Sequence, residues 1–175
     1  MGNYLHRTPI ALRVLAAMSA GIVLLVGCSS GKETDMQPTM DVRQAEYRIK
    51  THIEETLEQL PDTARLTNPF KTNSLPCRWE DDGTNDKVFV EHSYTIDGLS
   101  VDEHLDEYFD TVQKYWESRG YRKTRYDQSG SFRSMVYTDP DGFRLRLFTD
   151  FEGKHLNIRS QSPCIWPNGL PPTDD

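Results

Sequence analysis

The sequence predicts an α+β domain: an antiparallel sheet of about five strands with two main helices packed on one face. Three observations predict it. Two segments repeat apolar residues at three- and four-residue spacing, which is the stripe of an amphipathic helix. Four short β-rich segments follow one another late in the chain. Only turn residues separate them, and short connections between consecutive strands favour antiparallel pairing.

The first helix begins at Val42, where Val42, Ala45, Ile49, Ile53, Leu57 and Leu60 form one stripe. Asp41 is its expected N-cap with Gln44 three positions on, and Pro61 stops it after Leu60. Residues 62–86 read as irregular, broken by Pro69, Pro76 and Glu80-Asp81-Asp82-Gly83. Lys87 to Ile96 is β-rich, with Val88, Val90, His92, Tyr94 and Ile96 on one face at period two. Ser100-Val101-Asp102-Glu103 has the pattern of a capping box and opens the central helix. The buried stripe of that helix is Val101, Leu105, Tyr108, Phe109, Val112 and Trp116, and Gly120 suits the left-handed position after it. Tyr121–Tyr126, Ser131–Thr138, Phe143–Thr149 and Lys154–Gln161 are the four strands that follow. Gly130, Asp139-Pro140-Asp141-Gly142 and Glu152-Gly153 mark the turns between them.

The first thirty residues carry a different signal. Arg7 and Arg13 precede Val14–Val26, an almost wholly apolar run, and no acidic residue appears before Glu33. A basic segment, a short apolar run and small residues at its end describe a secretory leader. The run is short of the roughly 20 residues that cross a bilayer as a helix. Leu25-Val26-Gly27-Cys28 is similar to a bacterial lipobox, in which a diacylglycerol group is transferred to the thiol and the chain is cut before it. The plain alternative is a chance Cys at the end of the run. Acylation at Gly2 is disfavoured, because His6 stands where Ser or Thr is required. The expected organisation is a leader over 1–27, a lipidated Cys28 and polar tether over 28–40, a single domain over 41–167, and a Pro-rich tail over 168–175.

Composition excludes some partners. The chain carries a net charge of −7, and losing Arg7 and Arg13 with the leader makes it −9. An acidic protein repels phosphate backbones, so nucleic acid is not an expected partner. It gains nothing overall from an anionic lipid surface, so attachment would rest on the acyl chains at Cys28. The expected location is the outer face of the cell membrane.

Cys77 and Cys164 remain after Cys28 is used. An even pair in an exported domain reads as a disulfide, with a metal site or a catalytic Cys as rivals. No His cluster supplies metal-ligand spacing, and no cofactor motif is present. His52, His92, His104 and His155 read as surface or core-edge side chains. The run Glu80–Asp86 lacks a full calcium-loop pattern. Asp102, Glu103, Asp106, Glu107 and Asp110 read as the solvated face of the central helix, helped by its dipole. No catalytic residue is nominated. Trp79 and Trp166 each lie two residues after a Cys. They are a possible aromatic surface beside the disulfide, against the alternative of core packing.

These motifs in this order resemble actinobacterial lipoproteins of the mycobacterial LppA type: lipobox, first helix, Leu75-Pro76-Cys77, central helix, Asp141-Gly142-Phe143-Arg144-Leu145, and Asn157-Ile158 followed by Cys164. The segment Pro163-Cys164-Ile165-Trp166-Pro167 is similar to the Pro-Cys-x-Trp-Pro ending of other actinobacterial lipoproteins. The resemblance implies an envelope lipoprotein with a Cys77–Cys164 bridge, and it brings no catalytic residue. Two functions compete: a non-enzymatic module that binds an unknown envelope protein or cell-wall ligand, and an envelope hydrolase acting on a glycan or ester. Geometry separates them. A cleft with two carboxylates, or a His within reach of Ser or Asp, favours the hydrolase, and a flat or grooved aromatic face favours binding.

Overall fold

A computed structural model describes residues 39–77 and 86–172 of the chain. Helix α1 spans Val42–Leu57. Its capping box forms as the spacing predicts: the Asp41 carboxylate accepts from the Gln44 N–H at 2.8 Å, and the Gln44 side chain accepts from the Asp41 N–H at 2.9 Å. Helix α2 spans Val101–Ser118. Its expected capping box does not form, because Ser100 sits at ψ 74° and its side chain makes no capping bond. The first turn is irregular as well, with His104 at φ −125°. Gly120 takes the left-handed conformation at the end of α2, at φ +78°, as expected.

Six strands form one sheet: β1 (Arg65–Pro76), β2 (Val88–Asp97), β3 (Arg122–Ser129), β4 (Phe132–Thr138), β5 (Arg144–Thr149) and β6 (Leu156–Gln161). Their order is β1-β2-β6-β5-β4-β3, and every neighbouring pair is antiparallel. The predicted four-strand meander is β3 to β6. The count is six rather than five because β1 occupies a stretch the sequence marks as irregular. Proline is tolerated in a strand at a sheet edge, and β1 is such an edge. Two register shifts, at Thr67/Phe70 and Thr72/Leu75, and Asn68 at φ +48° erase the alternation that would have betrayed it.

Both helices cover the same face. α1 lies over β1, β2 and β6, and α2 lies against β3. The core joins Ala45, Ile49 and Ile53 of α1 and Phe109, Val112 and Trp116 of α2 to Val90, Met135, Leu145, Leu147 and Ile158 of the sheet. Trp116 is fully buried, and its indole Nε1 donates to Thr56 Oγ1 at 3.0 Å, tying the helices together. Gly98, at φ +82°, lets the β2–α2 turn approach Thr63 so closely that a Cβ there would lie 2.1 Å from the Thr63 carbonyl oxygen.

Beyond β6 the chain keeps pairing with β2. The Ser162 N–H donates to the Val90 carbonyl at 2.9 Å, and Ile165 bridges Val88 through bonds of 2.8 and 2.9 Å. Cys77, just past β1, donates to the Lys87 carbonyl at 3.1 Å. The Cys77–Cys164 disulfide therefore closes around the start of β2, with Cα atoms 6.1 Å apart. The packed region reaches past the expected boundaries. Thr39, assigned to the tether, donates its N–H to the Gly169 carbonyl at 2.9 Å and accepts from the Trp166 N–H at 2.8 Å.

Candidate functional site

Two of the concave regions beside α1 hold its buried histidine or that of β2. The first is a cleft of about 450 Å³ whose lining includes Arg48, His52, Glu55, Tyr121, Asp139 and Asp141. His52 shares the buried stripe of α1 with Ile49 and Ile53, and it is only 5% exposed. Asp139 opens the β4–β5 turn and is buried too. His52 Nε2 and Asp139 Oδ2 lie 3.3 Å apart. Burial pushes the Asp139 carboxyl up, but hydrogen bonds from His52 and from the Phe143 and Asp141 N–H groups outweigh it and hold the group below the usual carboxylate range. Arg48 lies 3.6 Å from Asp139 and is hydrogen-bonded to Asp141. The Phe143 ring packs edge-on to His52, with Arg48 against it.

This is a His within reach of an Asp, in a cleft with three carboxylates, Glu55, Asp139 and Asp141. Among the described residues, no serine, threonine or cysteine is bonded to the His52 ring. His52 Nδ1 is buried and has no hydrogen-bond partner. The aliphatic hydroxyls of the cleft serve their own helices: Thr51 donates to the Tyr47 carbonyl at 3.1 Å and Ser118 to the Tyr115 carbonyl at 2.7 Å, while the phenols of Tyr47 and Tyr121 also line it. The Asp139 carboxylate caps the β4–β5 turn. The pair works as a buried clamp between α1 and that turn.

The second region is a groove of about 630 Å³ between α1 and the β1–β2 edge. Tyr47, 73% exposed, stands at its rim, and Ile53, Leu66, His92 and Tyr94 line it together with Arg43, Glu46, Lys50, Lys71 and others. The Lys71 ammonium sits 5.7 Å from the centre of the Tyr94 ring. His92 is buried, and its Nε2 has no hydrogen-bond partner. Burial first and the Lys71 charge second push its pKa below the usual histidine value. An apolar floor with a few convergent polar groups is what a ligand groove requires.

Of the residues nominated from sequence, Cys77 and Cys164 are joined, as expected. Trp166 is not an aromatic surface. The strap formed by Val88 and Ile165 draws it inside, where it is 1% exposed and faces the Lys87 ammonium at 5.0 Å. Trp79, Cys28 and the acidic run up to Asn85 lie outside the described residues. The five acids of α2 are exposed, as expected of a solvated face. His104 and His155 lie at the surface, whereas His52 and His92 are buried, contrary to the surface or core-edge reading. The signal for His52 was its place on an apolar stripe. Its meeting with Asp139 depends on how the β4–β5 turn docks, which spacing does not reveal. No group of three or more potential metal ligands occurs among the described residues. No protein-family model matches the chain, and no curated protein or solved structure matches it either.

Proposed function

We propose that the protein is a cell-envelope lipoprotein, anchored through an acylated Cys28, whose domain is a non-enzymatic binding or accessory module. The observation that carries this reading is the groove between α1 and the β1–β2 edge. It is roomy, floored by Ile53, Leu66 and Tyr94, and edged by charges of both signs. The leader pattern, the lipobox-like tetrapeptide and the likeness to LppA-type lipoproteins support the location. The partner is an envelope protein or a cell-wall ligand.

The test is photo-crosslinking in the native envelope from a benzophenone amino acid at position 47. One partner should be captured reproducibly, and capture should fall when Lys71→Glu is added. If nothing is captured while the purified protein turns over an envelope ester or glycan, the binding reading fails.

One observation favours the hydrolase instead, namely His52 and Asp139 at 3.3 Å beside the neighbouring cleft. On that reading His52→Gln abolishes turnover of an ester or glycan substrate while Lys71→Glu leaves it intact. Among the described residues His52 Nδ1 has no hydrogen-bond partner to activate, which makes this reading the weaker of the two.

A further inference from the structure

The sheet face opposite the helices carries an arrangement that the groove does not use. Period-two alternation puts Arg144, Arg146 and Phe148 of β5, Arg159 and Gln161 of β6, and Arg125 of β3 on it. Cross-strand register sets three of the arginines in one row. Arg159 stands directly opposite Arg146, Arg146 opposite Val136, and Val136 opposite Arg125. Arg144 sits one step along, between Thr138 and Gln161. The valine is short, so the row leaves a hollow of about 180 Å³, floored by Val136 and walled by the four arginines and Gln161.

Like charges directly opposite on a strand pair destabilise a sheet, so this row works against the fold that contains it. Carboxylates offset it only in part. Arg125 pairs with Asp127 at 2.6 Å and Arg159 with Glu91 at 3.5 Å, while Arg144 and Arg146 form no ion pair among the described residues. Four guanidiniums against two carboxylates leave two local positive charges in a chain whose net charge is −7. The guanidiniums are also held in place. Arg146 lies 4.6 Å from the centre of the Phe148 ring and donates Nε to Ser134 Oγ at 2.9 Å, and Arg159 lies 5.7 Å from the same ring. Those restraints leave the terminal nitrogens of Arg146 to point donors elsewhere. Burial, then Arg159 and Arg125, weaken the hold of Arg146 on its proton, and a bound anion would reverse that repulsion.

We infer that the hollow bounded by Arg125, Arg144, Arg146 and Arg159 binds the phosphate group of a water-soluble phosphate monoester. A phosphomonoester carries close to two negative charges at neutral pH and three acceptor oxygens, matching two uncompensated guanidiniums and their forked donors. A carboxylate brings one charge and is satisfied by a single fork. The surface is concave and small, and its Phe89 and Phe148 rings lie within the face, whereas an interfacial membrane surface projects its apolar groups. The overall acidity of the chain disfavours long polyanions, which feel the whole field, and leaves a local site for a compact one.

The test uses the full chain in nonionic micelles, with calorimetric titration and Trp-fluorescence melting at matched ionic strength. Glucose 1-phosphate should bind and raise the melting midpoint, while glucose should not. Arg144→Gln and Arg146→Gln should each weaken glucose 1-phosphate at least tenfold, and Lys154→Gln, in the β5–β6 turn, should leave it unchanged. Arg144 is exposed and has no ion pair among the described residues, so its variant carries the test if Arg146→Gln fails to fold. The inference is overturned by absence of binding or by equal affinity in the folded arginine variants. It is equally overturned if phosphatidylglycerol doped into the micelles gives an Arg144-dependent shift and glucose 1-phosphate gives none. None of these outcomes bears on the groove beside α1.

Discussion

The two faces of the sheet are built from the same strands and obey different rules. On β5, Leu145 and Leu147 turn towards the helices and are fully buried, while Arg144 and Arg146 turn the other way. On β6, Leu156 and Ile158 are buried beside them, and Asn157 and Arg159 take the opposite side. The covered face needs apolar volume in the right places, and many sequences meet that need. The open face has no helix to satisfy among the described residues, so what stands beside what is set by strand register alone. Stability therefore concentrates on one side of the sheet, and freedom to specialise lies on the other.

The sharpest way to break this contrast is at the covered face. Trp116→Ala removes a fully buried indole and its bond to Thr56, and it should cost about 3–5 kcal/mol in denaturant unfolding. A loss under about 1 kcal/mol, the range of surface changes, would refute the placement of α2. Next comes the clamp at the end of that layer. Asp139→Ala leaves His52 and two backbone N–H groups without their acceptor and should cost about 3 kcal/mol. Because the native carboxyl is held below its ordinary value, its contribution is complete above about pH 4 and is lost as pH falls through the lowered value. The variant's acid unfolding curve should accordingly be shallower than that of the parent, and superimposable curves would count against the clamp.

His92 provides a milder probe. Its pKa is depressed in the folded state, so below about pH 6.5 the unfolded chain binds the proton that the native chain refuses. Stability should fall as pH drops from 7 towards 5, by at most about 1.4 kcal/mol per pH unit from this group. His92→Gln should flatten that slope in urea titrations at pH 7.5 and 5.5, and an unaltered slope would show that the ring charges freely where it stands. The smallest effect belongs to the open face. Arg144→Gln should change ligand-free stability by no more than about 0.5 kcal/mol, since the side chain is exposed. A larger loss would mean that this face also holds the fold together.

How much was legible follows from the same division. The stripes of α1 and α2, the meander and the α1 cap were readable because each rests on local spacing that burial then rewards. β1 was hidden because an edge strand may carry Pro69 and Pro76, and two bulges scramble its pattern. The α2 capping box read correctly as a pattern and failed as a structure, because Ser100 lacks the extended backbone that Asp41 has. Trp166 was nominated for a surface because its spacing from Cys164 is local, whereas its burial depends on pairing with a strand more than seventy positions away. Arg144 and Arg146 alternate visibly with Leu145 and Leu147, yet nothing local says that Arg159 faces Arg146. His52 and Asp139 meet for the same non-local reason.

Thr39, just before α1, is bonded to Gly169 and Trp166 near the other end of the described chain. In mechanical terms the domain has a handle. For a domain pulled from upstream, these bonds at Thr39 carry load before any turn of α1 can peel. Behind them the Cys77–Cys164 bond closes a loop over β2 to β6, so a tug that strips α1 and β1 still cannot pay out the chain between the two cysteines. Such load arises only while the domain grips something at its other end. On the proposed reading, the handle and the covalent loop limit how far a tethered domain that binds a partner can be stretched.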